Sequence, residues 1–309
     1  MFNSQQTEHL QTLETPFYYY DLSLLEKTLA ELKKAIPTGY HVHYALKANA
    51  NPAILKLIKD AGLGADCVSG NEVKKAVETG FSSSQIVFAG VGKSDKEILL
   101  ALEADIFCFN VESLPELGVL NDLAGKNGKT ARIALRINPN VDAHTHKYIT
   151  TGLEENKFGI NMWEMEKVLE AIERCGNIEL IGLHFHIGSQ ITNLNAFKEL
   201  CIRVNEIQEW FYDRQIIVDH VNVGGGLGVD YHEPDKHAVA DFKTFFELFD
   251  QFLELRPKQK LHFELGRVIV AQCCSLIGKV LYIKNGLTTN FAILDAGMTE
   301  LIRPALYQA

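Results

Sequence analysis

Eight short apolar runs alternate with helix-like stretches along this chain, and that alternation limits its possible folds more than any other feature. The runs fall near 41–46, 63–67, 86–89, 105–109, 132–137, 179–186, 217–222 and 260–264. Runs this short suit strands better than core helices. The stretches between them carry helix signals. Ser69-Gly70-Asn71-Glu72 and Ser94-Asp95-Lys96-Glu97 have capping-box spacing, and Asn51-Pro52 puts a cap before a first-turn proline. Gly62, Gly80 and Gly176 stand where helices are expected to stop. Strand and helix in regular turn point to a closed (β/α)8 barrel, with a doubly wound open sheet as the alternative.

The flanks differ from this pattern. Pro16-Phe17-Tyr18-Tyr19-Tyr20-Asp21 reads as an extra strand, after which Ser23-Leu24-Leu25-Glu26 opens an amphipathic helix through Ile36. Beyond the eighth run, 268–284 and 290–294 read as consecutive strands with no helix between them. The expected organisation is an N-terminal strand of a β domain in 1–27, the barrel in 28–265, and an incomplete start of the C-terminal β domain in 266–309.

Composition excludes some partners. With 309 residues, 47% of them hydrophobic and 22% charged, the chain suits one barrel plus a small appendage. Its 30 basic and 39 acidic residues give a net charge of −9 with no basic cluster, which argues against nucleic acid or an anionic membrane as partner. Residues 1–15 lack the apolar centre of a signal peptide, and no run approaches membrane-spanning length. The six cysteines (Cys67, Cys108, Cys175, Cys201, Cys273, Cys274) form no CxxC pair and are expected as reduced thiols of a cytoplasmic protein. Cys273 and Cys274 are expected on opposite strand faces, which argues against a disulfide between them.

In a barrel, chemistry gathers at the C-terminal ends of the strands. Those ends offer Lys47, Asp66, Arg136, His186, the run Gly224-Gly225-Gly226, and Glu264. Lys47 closes the first run. A partly desolvated lysine becomes a usable amine nucleophile, although a solvated strand-end lysine is the commoner case. The glycines bare backbone amides where an anion can approach, and Arg267 offers a charged partner for it. An amine nucleophile beside a phosphate cradle fits a phosphosugar aldolase or a pyridoxal-phosphate enzyme. Glu264 favours the second, since a carboxylate opposite the lysine can hold a pyridine nitrogen protonated.

His184 and His186 share a strand face. His186 could stack on a flat cofactor ring, Ser189 could bond a phosphate oxygen, and His184 is expected as a packed structural residue. Three His-x-His pairs, at 41/43, 144/146 and 184/186, also raise a metal-dependent barrel hydrolase as a remote alternative. The aperiodic stretch 138–158, with His144, His146, Lys147, Lys157 and Phe158, is long for a connection and reads as a lid.

These motifs resemble the fold-type III pyridoxal-phosphate decarboxylases. The strings are YALKAN (44–49), GADCVSGNE (64–72), LRINPNVDA (135–143), TGLEENKFGI (151–160), HFHIGSQI (184–191), NVGGGLG (222–228), ELGR (264–267) and DAGMTELIRPALYQA (295–309). The ornithine and arginine branches are similar around the lysine, the glycines and ELGR, whereas HIGSQI, ENKFGI and IRPALY point to the diaminopimelate branch.

The resemblance implies an alanine racemase-like barrel with a partial β domain, pyridoxal 5'-phosphate as cofactor, meso-2,6-diaminopimelate as substrate, L-lysine and carbon dioxide as products, and a homodimer. It implies Lys47 as the Schiff-base lysine, Asp66 near the ring, His186 stacked on it and Glu264 on its nitrogen. Ser189, Gly224, Gly225, Gly226, Arg267 and Tyr307 are implied at the cofactor, and Arg267, Arg303 and Tyr307 at the substrate. Leu265 stands where the family usually has proline. Family members continue into a Cys-Glu-Ser motif absent here, and none of the six cysteines inherits its role. The expectation is therefore cofactor binding with turnover in question, and a non-catalytic cofactor binder or an ornithine/arginine-type decarboxylase as the alternatives.

Overall fold

A computed structural model of the protein describes residues 2–141 and 157–307. An N-terminal strand, β1 (Phe17–Tyr20), precedes eight parallel strands: β2 (Tyr40–Ala45), β3 (Gly64–Cys67), β4 (Ile86–Phe88), β5 (Cys108–Val111), β6 (Ala131–Arg136), β7 (Ile178–His184), β8 (His220–Gly225) and β9 (Lys260–Leu265). Each pairs with the next and β9 pairs back onto β2, so the sheet closes into the expected barrel and the open-sheet alternative falls.

Local chemistry sets the boundaries. Asn51 accepts the Ala53 N–H with Pro52 in the first turn, and Gly80 ends the helix Gly70–Thr79 at φ +89°. The helix Leu22–Ala35 starts earlier than expected. Asp21, not Ser23, is its cap, and the Asp21 carboxylate accepts the Leu24 N–H at 3.0 Å. Two strands are shifted along the chain. The fourth was expected at 105–109, but Asp105 takes φ +49° and pairing with β6 begins only at Phe109. The seventh was expected to stop at 222, yet β8 runs on through Gly225, so the glycines end the strand instead of following it.

The main core lies between the barrel and its helices. Phe245, Phe246 and Phe249 of helix Phe242–Phe252 pack edge-on around Phe263 of β9, with ring centroids 4.9–5.7 Å apart. Inside the barrel the apolar cluster is small: Val87, Cys108 and Ala134, with Phe107 and Ile181 against them.

Toward the N-terminal end of the barrel the lumen holds a chain of imidazoles. His43 Nδ1 lies 3.0 Å from the Gln85 carbonyl, His43 Nε2 2.9 Å from His262 Nδ1, and His262 Nε2 2.9 Å from His220 Nδ1. A carbonyl only accepts, so His43 donates from Nδ1 and accepts at Nε2, which orients the other two rings in turn. Burial pulls His43 down to about 4, and burial with nearby Lys260 does the same to His220. His262 is lowered further, by burial and then by the neighbouring histidines.

β1 pairs antiparallel with β10 (Cys274–Ile277), matching Tyr20 to Cys274. β11 (Val280–Asn285) and β12 (Asn290–Leu294) form a separate hairpin with exposed residues on both faces. Helical turns interrupt the expected all-β run at Arg267–Val270 and again at Arg303–Tyr307. All six cysteines are free, including Cys273 and Cys274. Among the described residues no helix is long and apolar enough to cross a membrane.

Candidate active site

Strand register brings the distant residues together. Ala45 pairs with Asp66, and His43 with Glu264, so the ends of β2, β3 and β9 meet on one rim. There a cavity of about 570 Å³ is lined by Lys47, Asp66, His186, Ser189, Gly226, Glu264 and Arg267, among others. Lys47 does not itself close the strand, which stops at Ala45. The residue sits in a one-turn 3-10 helix, Leu46–Ala48, with its side chain exposed.

The glycine run forms the opposite wall. Gly224 and Gly226 take φ +71° and +103°, and a Cβ on Gly225 would overlap the Glu264 carbonyl oxygen. Only glycine lets the two chains approach this closely. Arg267 NH2 lies 3.5 Å from Ser189 Oγ, and its buried Nε has no hydrogen-bond partner among the described residues. A desolvated guanidinium N–H in a cavity that Gly226 and Ser189 also line fits a phosphate group, because an unpaired buried donor is costly until an anion fills it.

Glu264 sits at the base of the cavity. Its Oε1 accepts from Asn110 Nδ2 at 3.2 Å and Asn222 Nδ2 at 2.9 Å, and His184 Nε2 lies 3.0 Å from the carboxylate. Burial alone would raise its pKa, but the His184 hydrogen bond and the Lys47 charge outweigh burial and hold the carboxyl well below its ordinary range. Asp66 goes the other way. Burial, then the Glu264 charge, push it well up against the pull of Lys47, and its Oδ1 has no partner among the described residues. Two carboxyls at one rim, one ionised and one biased toward its protonated form, fit a heteroaromatic ligand carrying both a protonated nitrogen and other polar substituents. The pKa of His186 is lowered well below the ordinary value by burial, then by Lys47 and Arg136. The Gly225 N–H donates to its Nδ1 at 3.3 Å.

Arg303 and Tyr307 meet one another but lie to one side. The Arg303 guanidinium lies over the Tyr307 ring at 5.1 Å and over Tyr231 at 4.5 Å, and it lines a neighbouring cavity of about 750 Å³. Tyr231 links the two cavities, because its hydroxyl accepts from Arg267 NH1 at 2.6 Å.

Arg136 lies beneath this rim in a buried network of four charges. It donates to Glu112 at 2.9 Å, Glu112 also accepts from Gly90 and Gly159 backbone N–H, and Lys93 pairs with Glu116 at 2.6 Å. Phe158 stacks on Arg136 at 4.8 Å, and Ile137 bridges to Ile160. His144, His146 and Lys147, expected in a lid over 138–158, lie outside the described residues.

Of the His-x-His pairs, His184 turns to Glu264 and His186 to the glycines, while His43 belongs to the imidazole chain at the far end. Among the described residues no three His, Cys, Asp or Glu side chains gather as metal ligands. Sequence reasoning missed Asn110 and Asn222 on Glu264, and Tyr18, Tyr20 and Cys274 on the cavity wall. An asparagine late in a strand carries no signal of its own.

Known proteins share this fold. The sequence profile of the family described as "Pyridoxal-dependent decarboxylase, pyridoxal binding domain" matches residues 22–271. A diaminopimelate decarboxylase of Bacteroides thetaiotaomicron is 57% identical over 304 residues, covering 98% of this chain and 79% of that protein. The crystal structure of diaminopimelate decarboxylase from Helicobacter pylori complexed with L-lysine superposes with a TM-score of 0.90 at 39% identity, over 98% of this chain and 76% of the other. Diaminopimelate decarboxylase from M. jannaschii in co-complex with L-lysine gives 0.86 at 34% identity, over 98% and 72%. This chain belongs to the pyridoxal-dependent decarboxylases, within their diaminopimelate decarboxylase branch.

Proposed function

We propose that this chain decarboxylates meso-2,6-diaminopimelate to L-lysine and carbon dioxide, using pyridoxal 5'-phosphate held in the cavity at the strand ends. The observation that carries this reading is the convergence of Lys47, Glu264, Gly226 and Arg267 on one wall-lined space. When bound, the cofactor supplies an electron sink for the bonding pair that the departing carboxylate leaves behind. Lys47 would tether the cofactor through its side-chain amine. Glu264, kept ionised, would hold a proton on the ring nitrogen, and His186 and Asp66 would flank the ring. The run Gly224-Gly225-Gly226, with Ser189 and Arg267, would hold the phosphate, and Tyr307 would border that side. Arg267, Arg303 and Tyr307 receive the carboxylate that is retained, with Tyr231 holding two of the three in register.

Borohydride reduction of the purified, cofactor-loaded chain is expected to fix the cofactor's mass on the Lys47 peptide, and Lys47→Ala to abolish that label. Carbon dioxide should be released from meso-diaminopimelate. A colourless chain or label on another lysine overturns the cofactor site. Colour without carbon dioxide release would leave a cofactor binder, and faster release from ornithine or arginine would move the chain to the sister branches.

We read β1 and the residues after about 265 as parts of one β module attached to the barrel, supported by the pairing of β1 with β10. We also read the protein as a cytoplasmic homodimer. Six free thiols fit a reducing compartment, and Tyr282, Ile283 and Phe291 expose apolar area on the hairpin. Sedimentation at micromolar concentration tests the dimer.

A further inference from the structure

Glu264 is gripped by three side chains, none of which lines the cavity it faces. His184 Nε2 stands 3.0 Å from both carboxylate oxygens and donates to Oε2, while Asn110 and Asn222 donate to Oε1. An ionised carboxylate only accepts, so the hydrogen of His184 must lie on Nε2. Its Nδ1 is buried and has no partner among the described residues. A second ring hydrogen there would bury an N–H with no acceptor among the described residues, uncompensated for its desolvation. With its Nε2–H on the carboxylate, the neutral ring gives Glu264 a hydrogen bond without cancelling its charge. Three donors on the roughly four acceptor positions of a carboxylate leave about one for the cavity that Glu264 lines.

We propose that His184 is a positioning residue that holds Glu264 in place and unneutralised, so that the carboxylate's remaining acceptor position and its full charge are directed at the cofactor's ring nitrogen. The inference rests on the cofactor reading of Glu264. It revises the role of His184 from packing to the selection of a protonated ring.

The test compares equilibrium binding of pyridoxal 5'-phosphate with that of its 1-deaza analogue, in which CH replaces the ring nitrogen. Tethering to Lys47 and phosphate contacts are common to both ligands and cancel in the ratio. Wild type should prefer the nitrogen ligand by about tenfold or more, the equivalent of at least one pKa unit of differential interaction. His184→Leu should lose most of that preference. His184→Gln, whose amide N–H reaches the same carboxylate, should keep it within about threefold. His184→Asn, too short to reach, takes the place of the leucine variant if that one does not fold. Full preference in His184→Leu, equal weakening toward both ligands, or a glutamine variant as impaired as the leucine one would each overturn the proposal. Glu264→Gln separates the two levels of the argument. If it loses the preference while His184→Leu keeps it, only the role of His184 fails. If it keeps the preference, or wild type shows none, the reading of Glu264 fails as well.

Discussion

Single residues carry unequal amounts of the site. Gly225 is the least replaceable, since the Glu264 backbone occupies the space a side chain would need. Gly225→Ala should cost about 2 kcal/mol or more through forced backbone displacement, lowering the melting temperature by about 5 °C, and should weaken cofactor binding in the same titration. A variant as stable as wild type would show that β8 and β9 can separate freely. Lys47, the glycines and Glu264 were legible in the sequence because their chemistry is unusual for their positions: an amine at a strand end, three glycines in a row, an acid closing an apolar strand. His184, Asn110 and Asn222 were not. Their meaning depends on β5, β7 and β8 pointing at one axis, which becomes visible only when the barrel closes.

At the scale of elements, the buried charges at the ends of β4, β5 and β6 hold three strands in one arrangement. The Lys93 side chain is 1% exposed, and its amine donates to Gly90 O, Asn110 O and Glu116 at 2.9, 2.8 and 2.6 Å. Burial raises the pKa of Glu116 and Lys93 opposes that rise. Lys93→Met should strand the Glu116 charge and lower unfolding free energy by about 3–5 kcal/mol in urea titration. A loss under about 1 kcal/mol would mean that water reaches Glu116. Asp21→Ala should cost only about 1 kcal/mol, because it removes a single cap from helix Leu22–Ala35. Element type was readable from periodicity. Boundaries were not where tertiary pairing overrode the local pattern, as at Asp105 and at the glycine end of β8.

For the whole molecule, the imidazole chain makes stability depend on pH. His43 titrates at about 6.5 when unfolded and about 4 when folded, so between those values the unfolded chain binds more protons. Stability from this group is complete above 6.5 and is lost as pH falls toward 4. The raised carboxyls Asp66, Glu72 and Glu116 act in the opposite sense, so the contribution is best read as a difference. The stability gap between wild type and His43→Gln should shrink by about 2 kcal/mol between pH 7 and pH 5. A constant gap would show that the ring takes up its proton equally in the folded and unfolded states. The same lumen sets a rule for change. Around the outside of the staves the protein is matched by volume, and one aliphatic can stand in for another. Within them two sets of side chains are matched by valence, the imidazoles that start from the Gln85 carbonyl and the three donors on Glu264, so the positions of each set must vary together and a lone substitution there reads as an error in a code.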